Sequence, residues 1–180
     1  MSEQQNQELS EQTSEQLKQQ QKMQAMQNQQ QMSKNMQSMQ EQMMSMQQQM
    51  QQQAQIETMY EMMKAIHNLI SLSKDQEALK ESTSRLSATS PQMRENAQKQ
   101  NDLQRGLDKV LQQLSELSQK TFAITPEMGK ALGKARGEMH QSISAMQNRN
   151  SSMAVQKQGG AMKSLNEAAS LMKGNMEQMM

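Results

Sequence analysis

Cysteine and tryptophan are absent from this 180-residue chain, and it has one Phe, one Tyr, two Pro and seven Gly. Without thiols there is no disulfide framework, no thiolate zinc site and no cysteine nucleophile. Scarce Pro and Gly remove the usual punctuation of turns, so long uninterrupted helices are expected. The net charge of +1 excludes a strongly basic electrostatic binder, and no specific nucleic acid is expected as a partner. Long apolar runs are missing as well. The longest, residues 65–72, is interrupted by His67, Asn68 and Ser71, far short of the roughly 20 residues that a membrane-spanning helix needs. The first 20 residues are polar and hold no signal-peptide core. The chain is therefore expected to be soluble as written.

Leu, Ile, Val and Phe together number 22, a level at which a highly charged chain stays disordered. The 23 Met residues roughly double the large apolar set, and Met is an unbranched side chain that costs a helix little. Gln, at 36 residues, fills most of the polar positions. The composition points to an all-α protein with a core built on thioethers.

Four segments are legible. Residues 1–22 carry only Leu9 and Leu17 as large apolar side chains and are expected to be disordered or a frayed helix end. Residues 23–72 read as one long Met/Gln-rich amphipathic, coiled-coil-like helix. In it Met32, Met36, Met39, Met43, Met46 and Met50 are spaced 4, 3, 4, 3, 4, the a/d seam of a heptad. A second seam, Ile56, Met59, Met63, Ile66 and Ile70, runs one residue early relative to the first. The stripe is therefore expected to shift near residues 51–55, by overwinding or a change of partner.

Residues 73–120 read as helical segments. The Ser73 to Gln76 capping box starts one of them and Ser90-Pro91 starts the next. The latter buries Met93, Ala97, Leu103, Leu107, Val110, Leu114 and Leu117. Residues 121–180 read as a connector, with Phe122 plugging the corner, followed by two helices folding back as an antiparallel hairpin. Thr125-Pro126-Glu127 supplies an N-cap, an N1 proline and an acid at the positive end of the helix dipole. Gly129, Gly133 and Gly137 recur every four residues. Each costs a helix interior roughly 1 kcal/mol relative to Ala, so they are expected to form a contact ridge against the small residues Ala161, Ala168 and Ala169.

The segments Leu72-Ser73-Lys74-Asp75-Gln76-Glu77, Ser90-Pro91-Gln92-Met93-Arg94-Glu95, Thr121 to Ala135, Arg149-Asn150 and Leu165-Asn166-Glu167-Ala168-Ala169 resemble a known family. Its members are large membrane-anchored proteins of Bacteroidota-type bacteria, and the similarity is to their C-terminal helical region. It spans roughly residues 56–172. The resemblance implies relatives whose transmembrane helices lie far upstream, so that this chain is expected to be either cytoplasmic or tied to the bacterial envelope through a missing upstream region, and it implies no particular reaction.

Motifs that carry chemistry are sparse. His67 and His140 are the only imidazoles and are far apart in sequence, so helix surface is the better reading of both. Gly129 to Lys134 lacks the spacing of a phosphate-binding loop and falls within a helix. Neither a catalytic residue nor a cofactor is expected. Soft thioethers three or four residues apart would suit Cu(I), which makes a Met-rich copper protein the alternative, although such a heptad is ordinarily a packing seam. The expectation is a non-enzymatic interaction module that associates through its Met/Ile seams with itself or with another helical protein.

Overall fold

The computed structural model describes the backbone of residues 2–179 and the side chains of residues 8–11 and 13–179. The described residues contain four helices and no strand: α1 (Ser2–Ser84), α2 (Gln92–Lys120), α3 (Pro126–Gln147) and α4 (Ser151–Met179). The chain divides into two compact units, Met1–Gln53 and Ala54–Met180. The first unit is a single stretch of α1 whose described side chains are all exposed. The second holds the rest of α1 and the other three helices, packed as a bundle.

α1 is longer than the sequence pattern predicts. It begins at Ser2, so the segment expected to be disordered or frayed is helical, and it passes through Ser73 without a break. Ser73 is buried inside the helix and does not cap a new one. With no Gly or Pro between Ser2 and Ser84, nothing in the backbone forces a stop there. The break comes at residues 85–91, where turn hydrogen bonds run from Leu86 N to the Thr83 carbonyl and from Ser90 N to the Ser87 carbonyl.

Within the second unit, one stripe of α1 faces the core: Thr58, Met62, Ala65, Leu69, Leu72, Gln76, Leu79 and Thr83, with Leu72 only partly buried. Its spacing is 4, 3, 4, 3, 4, 3, 4, a heptad register. The predicted seam on this segment was displaced from it. Ile56, Met63 and Ile70 are exposed, and Met59 and Ile66 are half-buried. The true stripe is harder to see because Thr58, Ala65, Gln76 and Thr83 occupy it, so a search for large apolar residues selects the neighbouring face.

α2 buries Met93, Ala97, Leu107, Val110, Leu114 and Leu117 as expected, but Gln100 takes the fully buried place next in register and Leu103 is only partly covered. α3 and α4 form the expected hairpin, with their backbones running within 8 Å of each other. Small side chains allow that approach: Ala131, Ala135, Ser142 and Ala145 on α3, and Ala154, Ala161, Ser164, Ala168 and Ala169 on α4, are all buried.

The three α3 glycines play no part in the hairpin. Methyl groups built on Gly129, Gly133 and Gly137 meet nothing within 4 Å, so the predicted ridge is instead an outward-facing strip. An interval of four selects a helix face but not the side it points to. Close approaches occur at two other glycines: a methyl added at Gly106 would lie 2.9 Å from Leu72 Cδ2 across the α1–α2 interface, and one added at Gly160 of α4 would lie 2.5 Å from Glu138 Oε1 of α3.

The connectors follow from local chemistry. Thr125 caps α3 by accepting a hydrogen bond from the Met128 amide, and Pro126 follows it. The Glu127 carboxyl lies below its usual range because its own backbone N–H, and then the Thr125 hydroxyl, donate to the charged form. Phe122 does not plug the corner and is fully exposed, whereas Ala123 is buried and Ile124 packs against the core. Asn175 on α4 holds this turn by donating to the Ala123 carbonyl. The α3–α4 turn ends in a Schellman arrangement, with Asn150 N bonded to the Ala145 carbonyl and Arg149 N to the Met146 carbonyl. Arg149 is left-handed at φ 57°, and Asn150 Oδ1 then accepts from Met153 N to start α4.

Candidate interaction surface

Six thioethers define the most unusual surface of the protein. Met32, Met36, Met39, Met43, Met46 and Met50 lie at successive d and a positions of a heptad on α1, and each is between 61% and 66% exposed. A helix of this composition forms readily, because Gln and Met lose little rotamer freedom in it. What it lacks is a covering partner among the described residues. Met23, Met26 and Met44 are also exposed but fall off the seam.

The residues flanking the seam are neutral. Ser33, Gln40 and Gln47 occupy the e positions, and Asn35, Gln42 and Gln49 the g positions. The two charges in this stretch, Lys34 and Glu41, lie at f, the position farthest from the seam. Continued past Met50, the same register passes through Gln53, Glu57, Tyr60, Lys64 and His67, all exposed. The bundle-facing stripe begins at Thr58 in a different heptad phase. α1 runs through residues 51–55 without interruption.

A second concentration of polar chemistry lies inside the bundle, and sequence reasoning missed it. Gln76 of α1 and Gln100 of α2 exchange two amide hydrogen bonds, of 2.7 and 2.6 Å. Gln158 Nε2 on α4 donates to Gln100 Oε1 at 3.1 Å and to the Thr83 hydroxyl at 3.3 Å. Ser142 of α3 donates to Gln100 Oε1 and to the Ala154 carbonyl, both at 3.4 Å. Asn96 donates to Ser82 and Thr83. Gln76, Gln100, Gln158, Thr83 and Ser142 are fully buried. Among the described residues, only Gln158 Oε1 is left as a buried side-chain atom without a partner. The available signal was a Gln recurring in phase with Leu107 and Leu114, which in a chain with 36 Gln did not stand out.

One groove, of about 780 Å³, opens between the N-terminus of α2 and the C-terminus of α3. Met93, Ala97, Ile143 and Met146 form its floor, and Arg94 and Arg149 stand on its rim. Its lining contains no carboxylate and no imidazole. His67 and His140, both exposed, lie on different helices. The described residues contain no cluster of three or more His, Cys, Asp or Glu side chains able to hold a metal, and no helix long and apolar enough to cross a membrane. Neither a family of known proteins, nor a curated protein, nor a solved structure matches this chain.

Proposed function

We propose that the chain is a non-enzymatic helical interaction module that acts by helix–helix association through the Met seam, as the tail of a cell-envelope protein of the resembled kind. The observation that carries this reading is the exposure of all six seam thioethers on one face of a continuous helix. An apolar stripe of that length is larger than isolated soluble proteins ordinarily leave open. Met suits such a surface because its flexible, polarisable side chain adapts to a partner face. A second copy or another helical protein would supply the complementary seam.

Sedimentation of the full chain tests the reading. Self-association should appear at micromolar concentrations. The triple substitution Met39→Gln, Met43→Gln, Met46→Gln should weaken it at least tenfold while leaving the melting of the bundle unchanged. A substituted chain that self-associates as strongly as the parent would overturn the proposal. The open thioethers also favour a second reading, a Met-rich Cu(I) protein, but residues 32–50 contain no His or Cys to anchor an ion. Submicromolar Cu(I) binding that is lost when the same residues become Leu would select that reading instead.

A further inference from the structure

Resting on the association reading above, we infer that the occupant of the Met face is a second copy of this chain, running antiparallel, in the register that sets Glu41 level with Glu41 of the other copy. In that register Met32 lies across from Met50, Met36 from Met46, and Met39 from Met43. Every layer then pairs an a position with a d position, the layering of antiparallel coiled coils, and all six thioethers of each chain are covered. Sliding by one heptad in either direction sets two of the six against Gln, Glu or Ala instead.

The charges beyond the Met tract decide the direction. In the same heptad, Glu15, Lys18 and Lys22 precede the tract and are exposed. A parallel, in-register pair stacks Glu15 on Glu15, Lys18 on Lys18 and Lys22 on Lys22. In the antiparallel register these residues lie beyond the Met layers and none of them meets its own counterpart. Like charges face to face destabilise. The neutral e and g positions oppose neither direction, so these end layers choose between them. The pairing is isologous and closes as a two-fold dimer.

The absence of native cysteine makes the test direct. Met36→Cys and Met46→Cys are prepared as separate single variants, oxidised alone and as an equal mixture, with sedimentation of each. In the antiparallel dimer, residue 36 meets residue 46 of the other copy, while identical positions lie roughly 15 Å apart along the axis. The mixture should therefore crosslink, up to the roughly half of its dimers that combine the two variants, and neither variant should crosslink alone. Crosslinking of each variant alone would show a parallel dimer, which overturns this inference and leaves the association reading standing. Dimers in sedimentation with no crosslink in any sample would place the interface elsewhere and overturn it too. A monomer at all concentrations would overturn self-association altogether.

Discussion

Replacing Gln100 with Leu is expected to destabilise the bundle by about 3 kcal/mol, the largest loss for any single polar side chain in this protein. Leu is close to Gln in size, so packing changes little and the effect is one of hydrogen bonding. Gln100 exchanges two bonds with Gln76 and accepts from Gln158 and Ser142. Its removal leaves the Gln76 amide with neither partner at a site closed to water, at roughly 1–3 kcal/mol for each orphaned group. Thermal unfolding followed by circular dichroism should show the midpoint falling by roughly 10 °C. Gln158→Leu should cost clearly less, because Gln158 Oε1 is already without a partner and Thr83 and Ser142 keep bonds to the Leu79 and Ala154 carbonyls. Replacing Gln76, Gln100 and Gln158 together by Leu should recover most of the single-variant loss, since no amide of that set is then left orphaned. A Gln100→Leu chain as stable as the parent would show that the network contributes nothing.

The second large effect has the opposite sign. Substituting Ala at Gly129, Gly133 and Gly137 together should raise the stability of the bundle by about 2–3 kcal/mol. Each Gly lies inside α3 and loses more backbone freedom on folding than Ala, roughly 1 kcal/mol per site. Each added methyl enters open space, so no packing term opposes the gain, and exposed sites of this kind add nearly independently. The melting midpoint should rise by several degrees. Gly106→Ala is the informative control, because its methyl would press on Leu72 at 2.9 Å and Leu72 must turn aside, removing part or all of the benefit. A lower midpoint for the triple variant would mean that the α3 glycines serve a contact after all.

The sequence by itself determined a good deal about this protein. Scarce Gly and Pro, together with apolar residues three and four apart, dictate an all-α chain. Ser90-Pro91, Thr125-Pro126 and Arg149-Asn150 mark the three connectors, because capping and turn chemistry is local and needs no partner to be read. The Met32–Met50 seam was visible for the same reason: six identical side chains in one register are a pattern whether or not anything covers them.

Which face of each helix turns inward was decided only by the tertiary structure. Periodicity gives a face up to a rotation, and the rotation is set by what the neighbouring helices can accommodate. On α1 the bundle accepted Thr58, Ala65, Gln76 and Thr83 beside Met62 and Leu69, and left the more apolar Ile56, Met63 and Ile70 outside. On α3 it accepted Ala131 and Ala135 and turned the glycines away. On α2 it buried Gln100 and left Leu103 partly exposed. A buried Gln is unfavourable alone and acceptable only when Gln76, Gln158 and Ser142 arrive from three other helices to satisfy it. That condition depends on residues up to 58 positions away from Gln100 along the chain, so no local pattern could contain it.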